Sequence, residues 1–155
     1  MFSFLKKEPF EVVSCANGTC IALENVKDDV FSAKIMGDGF AVIPDDEMIV
    51  SPVTGSVEAV FPTGHAVGLK TKEGIEVLVH IGLNTVELDG EGFNVQIKKG
   101  QKVKKGQPIV KIDRDMILSK GYDLSTMIIF SSGYEEEVKL DKFDQKVQQG
   151  EVLIS

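Results

Sequence analysis

An all-β sandwich or barrel is the fold class that this sequence predicts, and three observations carry the prediction. Gly, Pro, Asn and Asp interrupt the chain at short intervals from Phe10 onward; the runs between them are β-branched or alternate with a period of two; and one turn-and-strand motif occurs twice. Ser14-Cys15-Ala16-Asn17-Gly18 reads as a turn entering a strand, and Ser51-Pro52-Val53-Thr54-Gly55 repeats its pattern. Phe40-Ala41-Val42-Ile43 is a strand behind the turn Gly37-Asp38-Gly39, which is not a phosphate loop because no Lys-Ser/Thr follows it. Gly55 to Phe61 is a further strand. From Ile75 the alternation sets Ile75, Val77, Val79 and Ile81 on a core face, with Glu76, Leu78, His80 and Gly82 on the other. Pro108 to Ile112 is again a strand, and Asp113 can cap a short helix running from Arg114 to Gly121, the one helix expected. The decapeptide from Gly100 to Ile109 recurs from Asp144 to Leu153: each has Gln-Lys-Val, two polar residues, Gly and a new apolar run. Two copies make a duplicated motif inside one core, not a solenoid.

A chain of 155 residues fits one domain. The expected organisation is a flexible tail over residues 1–9 and a single domain over residues 10–155. Nucleic acid is a poor partner for a net charge of −7, because that binding is driven by Lys and Arg neutralising phosphates. Cys15 and Cys20 sit in apolar surroundings and read as reduced, buried thiols. No apolar run reaches the ~18 residues of a membrane span, so a soluble, cytoplasmic protein is expected. Met1-Phe2-Ser3-Phe4-Leu5-Lys6-Lys7 places aromatics before a basic pair; a frayed tail is favoured over a membrane-surface contact.

The chemistry concentrates on the only two histidines. His80 points away from the core, and Gly82, next on the same face, is expected to leave its imidazole an open flank. His65 lies in Phe61-Pro62-Thr63-Gly64-His65-Ala66, where Thr63 falls on the same side of an extended segment. A single strand histidine is more often structural than reactive. Two in apolar, Gly-flanked settings make a shared site worth testing.

Gly37-Asp38-Gly39-Phe40-Ala41-Val42, Ser51-Pro52-Val53-Thr54-Gly55, Pro62-Thr63-Gly64-His65-Ala66, Val79-His80-Ile81-Gly82-Leu83-Asn84-Thr85-Val86 and Gly90-Glu91-Gly92-Phe93 resemble, in order, the glucose-type enzyme IIA of the bacterial phosphoenolpyruvate-dependent sugar phosphotransferase system. The resemblance implies an antiparallel β-sandwich or barrel hybrid with one or two short helical turns. It implies that His80 accepts a phosphoryl group from the carrier HPr and passes it to a cysteine of a IIB component. His65 then acts as the donor beside it, with Thr63 orienting His65. Phe31, Met36, Phe61, Leu78, Asn84 and Val86 would form the partner-docking patch, with Leu78 exposed. Some family members also regulate transporters or kinases. The family pattern His-x-Gly-Ile-Asp-Thr-Val is broken at one charged position, because Asn84 stands where the family has aspartate; Asp28 or Asp29 is expected to take over its electrostatic duty.

Two other classes compete. A zinc hydrolase or peptidase would use His65 and His80 as ligands, but catalytic zinc takes three protein ligands and no third histidine exists. No cofactor is required by the phosphocarrier reading, although a partner's carboxylate could complete a shared zinc site on His65 and His80. A swinging-arm carrier needs a lysine at a hairpin tip, and Lys142 is the only faint candidate.

Overall fold

A computed structural model describes residues 8–155, so the tail expected at 1–9 and the membrane-surface reading of 1–7 fall largely outside the described residues. Thirteen strands follow one another: β1 (Val12–Val13), β2 (Gly18–Ala22), β3 (Asp38–Pro44), β4 (Met48–Val50), β5 (Gly55–Val60), β6 (Ala66–Lys70), β7 (Glu76–Ile81), β8 (Phe93–Val95), β9 (Lys102–Val103), β10 (Pro108–Ile112), β11 (Thr126–Ser132), β12 (Gln145–Val147) and β13 (Val152–Ile154). Eight form one sheet in the order β12-β2-β3-β11-β7-β6-β5-β9; β4-β10-β8 and β1-β13 form smaller sheets. Every pairing is antiparallel.

The main core draws on all three sheets, with Val12, Ile49, Val57, Val79, Ile109 and Ile128 among its members. A second cluster lies on the opposite face of the large sheet and joins Leu23, Val26, Phe31, Ala41, Leu83, Met127 and Ile129. Strands β3 and β11 contribute to both clusters, which is why Phe40-Ala41-Val42 and Met127-Ile128-Ile129 are continuous apolar runs. Strand β7 meets the main core through Val77, Val79 and Ile81, while Leu78 packs on the second cluster.

The duplication is visible bond by bond. Ser14 Oγ donates to the Ala16 carbonyl and Ser51 Oγ to that of Val53. Ser14 N bonds Glu151 O while Ser51 N bonds Gln107 O, and Gly150 N and Gly106 N return to Ser14 O and Ser51 O. The side-chain oxygens of Asn17 and Thr54 accept from the Gln149 and Lys105 amides. The recurring decapeptides become the units β9–turn–β10 and β12–turn–β13, each leading from an edge of the large sheet into one of the smaller sheets, with Val103 opposite Gly55 and Val147 opposite Gly18.

The expected helix is present as α2 (Arg114–Ser119), capped by the Asp113 carboxylate accepting from Met116 N. Two short helices are present, within the one or two short helical turns expected of the fold, although the residues pointed only to α2. A second, α1 (Asp29–Ser32), is capped by Asp28, and single 3-10 turns cover Leu23–Asn25 and Thr85–Leu88. Four residues are too few to show a helical period, so only the cap itself could have signalled α1. Cys15 and Cys20 are free and buried; burial pushes their thiols up to about 12 and about 11, so both stay protonated and unreactive.

Candidate functional site

The β6–β7 and β7–β11 registers place His80 opposite Ala66 on one side and Met127 on the other. His65 enters β6 next to that row, and its carbonyl accepts from Ile81 N at 2.7 Å. The imidazoles meet edge to face, with centroids 5.0 Å apart and planes at 81°. Phe31 of α1 packs on His80 at 4.9 Å, and Phe61 meets His65 edge-on at 5.7 Å. His65 is only 6% exposed and His80 half-buried.

Hydrogen bonding assigns the tautomer of His80. His80 Nδ1 lies 3.0 Å from the Gly82 carbonyl oxygen, which can only accept, so Nδ1 carries the proton and Nε2 keeps its lone pair. His65 Nδ1 lies 2.5 Å from Thr63 Oγ1. With the hydroxyl donating there, the His65 proton sits on Nε2. In that arrangement one ring offers a lone pair and its neighbour a donor. Burial, reinforced by His65, lowers His80 to about 4; the Gly82 bond and Asp28 oppose that shift. Burial also lowers His65. Both rings are neutral at pH 7.

Gly82 does not leave an open flank. Strand β7 ends at Ile81, and Gly82 is buried at φ +82° with Thr85 Cγ2 2.5 Å from where a Cβ would sit. Glycine is required there by a left-handed turn packed against Thr85, not by access to the imidazole. Thr85 is fully buried and its hydroxyl donates to the Ile81 carbonyl at 2.5 Å, pinning the turn whose Gly82 carbonyl orients His80. Thr85→Val keeps the shape and removes that donor. It should lower stability by about 1–3 kcal/mol and mix the His80 tautomers. Imidazole ¹⁵N shifts at pH 7 read the tautomer; an unchanged one would leave the hydroxyl no positioning role.

The expected docking residues divide. Met36, Phe61 and Val86 are exposed apolar side chains. Phe31 is buried, 7% exposed, and works as a wall against His80; Leu78, expected to be exposed, is half-buried on the second cluster. The sequence reading missed Val30 and Ile35, the latter 73% exposed and following Lys34 at φ 60°. A positive-φ lysine in a short apolar stretch marks no recognisable pattern. Asn84 is exposed at φ 60°, a left-handed position that Asn and Asp tolerate best among residues with a side chain. The Asp28 carboxylate accepts from the Val30 and Phe31 amides, so it holds α1 and with it the Phe31 ring.

The competing chemistries gain no support. Among the described residues no group of three His, Cys, Asp or Glu is placed to hold a metal, and Lys142 lies in a turn facing Glu151 at 3.8 Å. No helix among them is long and apolar enough to cross a membrane.

Fold and site together describe a β domain that mounts a neutral, oriented imidazole beside a second one, with Phe31 and Phe61 packed against the pair. The family model for the phosphoenolpyruvate-dependent sugar phosphotransferase system, EIIA 1, matches residues 10–137, and the chain belongs to that family. It is 52% identical over 133 residues to the glucose-specific EIICBA component of Streptococcus pneumoniae, covering 85% of this chain and 18% of that protein. It is 41% identical over 138 residues to the glucose-specific EIIA component of Staphylococcus epidermidis, covering 88% of this chain and 82% of that one. The solved glucose permease IIA of Mycoplasma capricolum superposes with a TM-score of 0.85 at 36% identity, over 99% of this chain and 98% of the other. The chain spans about a fifth of the length of the multicomponent relatives it matches.

Proposed function

We propose that His80 receives a phosphoryl group from phosphohistidine on HPr and hands it to a cysteine of a IIB component. The observation that carries this reading is the Nδ1–H bond from His80 to the Gly82 carbonyl, which leaves Nε2 as the nucleophile. In the first step Nε2 attacks phosphorus, the P–N bond to HPr breaks, and its electron pair returns to the HPr imidazole. His80 keeps its Nδ1 proton and becomes cationic, and the Gly82 carbonyl stabilises that charge. In the second step a IIB thiolate attacks phosphorus and the electron pair of the broken P–N bond returns to Nε2. His65, protonated on Nε2 and held by Thr63, donates to the phosphoryl oxygens. Residues 10–155 act as one phosphocarrier domain in this reading. The B and C components named beside A in the Streptococcus pneumoniae relative favour a IIB acceptor. The exposed side chains Val30, Ile35, Met36, Phe61 and Val86 offer both partners an apolar surface.

Incubation with phosphoenolpyruvate, enzyme I and HPr tests the proposal. One acid-labile, base-stable phosphoryl group should appear at His80 by mass spectrometry. A modification elsewhere would refute it.

Asn84 sets a limit on the electrostatics of docking. Its exposure puts the missing charge at the rim, where an ion pair contributes about 0.2–1 kcal/mol. Asn84→Asp is therefore expected to tighten HPr binding by about fivefold at most and to steepen its salt dependence. Titration calorimetry at two ionic strengths measures both. Of the two acids expected to compensate, Asp28 is occupied by the α1 amides, which leaves exposed Asp29 as the freer charge.

A further inference from the structure

A cavity of about 430 Å³ lies between the segment Glu8–Glu11 and the β6-β5-β9 edge of the large sheet. Five lysines and three glutamates line it, an excess of positive charge in a chain whose net charge is −7. Lys105 Nζ pairs with Glu11 at 2.7 Å and Glu8 at 3.1 Å, and Lys72 Nζ donates to the Glu8 carbonyl. These contacts hold the segment over the sheet. Lys70, Lys102 and Lys104 make no ion pair among the described residues.

The register explains how two of the three converge. Ser56 stands opposite Lys70 in β6 and opposite Lys102 in β9, so the three side chains share one face in a single cross-strand row. Adjacent strands lie about 4.8 Å apart, which puts the two lysine backbones about 10 Å apart with the Ser56 hydroxyl between them. Lys70 in turn faces Glu76 of β7, and His80 lies four residues further along that strand, about 13 Å away on the same face.

The duplicated half serves as an internal control. Its equivalent row is Ile43–Thr19–Lys146, and there Lys146 is neutralised by Asp45 at 2.8 Å. The architecture therefore builds this corner without a pair of unpartnered lysines. Like charges flanking one residue repel each other, and a doubly charged tetrahedral anion relieves that repulsion while accepting from both ammonium groups; the Ser56 hydroxyl joins them by turning from its long 3.5 Å contact with Glu58 Oε2. The cavity is within the size range of small-molecule sites, and Phe10 adds an aromatic wall for the body of a ligand.

We propose that this cavity binds a small phosphate monoester of sugar size, with its phosphoryl group between Lys70 and Lys102 beside Ser56. The site is independent of His80, so its test does not depend on the phosphotransfer reading. Amide ¹H–¹⁵N shifts of the full chain are followed while glucose 6-phosphate, glucose or sulfate is added at constant ionic strength. Glucose 6-phosphate should give saturable shifts at Ser56, Lys70 and Lys102 with a Kd of about 1 mM or tighter, and glucose none. The Lys70→Gln/Lys102→Gln variant should keep the remaining spectrum and weaken binding by about tenfold or more. Sulfate binding equal to that of glucose 6-phosphate would mean an adventitious ion only and overturn the proposal. So would no saturation by about 10 mM, or shifts that survive in the variant.

Discussion

His80→Gln takes up no phosphoryl group from phospho-HPr under conditions in which the wild-type chain is labelled to completion: this is the expected result if Nε2 of His80 is the nucleophile. A glutamine amide has nearly the reach of imidazole but no basic nitrogen, so the reacting lone pair is lost while the rim is left intact. Continued labelling of the variant would reassign the acceptor. The same variant reports on the buried ring through folding. His80 titrates at about 4 in the folded chain against 6.5 for an unperturbed histidine, so the unfolded chain binds more protons between those values. The stability that the neutral ring allows is complete above pH 6.5 and falls as the pH drops toward 4. Denaturant unfolding should show the wild type losing up to about 3 kcal/mol more than His80→Gln across that window. Parallel curves would contradict the depressed value.

The second large effect is a split between uptake and delivery in His65→Gln. On the proposed reading, uptake passes the phosphoryl group between two neutral imidazoles, whereas delivery brings an anionic thiolate against the phosphoryl oxygens. The need for a donor on those oxygens is greater in the second step. Thr63 holds the His65 ring through Nδ1, an atom that glutamine lacks. Delivery to IIB is expected to slow by about 10²–10³-fold, the usual cost of losing one such donor, while labelling by phospho-HPr persists. Single-turnover rates for the two half-reactions check this. Equal slowing of both steps, or of neither, would remove His65 from the role given to it.

Much of the architecture could be read from residue order because its signals are local. Period-two burial in β7, the Asp113 cap of α2 and the Gln-Lys-Val-x-x-Gly strand-and-turn units need only a few neighbouring residues to announce themselves. The contact of Thr63 with His65 was accessible for the same reason, being two residues apart in an extended segment. What remained hidden depends on distant packing. Gly82 looked like an access device until Thr85 filled its flank, and Phe31 looked like a docking residue until α1 turned it onto His80. The lysine row is also invisible along the chain, since Ser56, Lys70 and Lys102 become neighbours only through strand register.

The two outer strands of the large sheet, β9 and β12, have a bearing on how this protein can meet others. Both are very short, two and three residues, and each carries an exposed lysine, Lys102 and Lys146. Short, charged borders make poor templates for adding a foreign strand. Main-chain recruitment, which zips long segments together and releases them slowly, is thereby discouraged at both ends of the sheet. Encounters are left to side-chain surfaces such as the exposed apolar residues Val30, Met36, Phe61 and Val86, which on the proposed phosphocarrier reading suits a protein that has to leave a donor before it meets an acceptor.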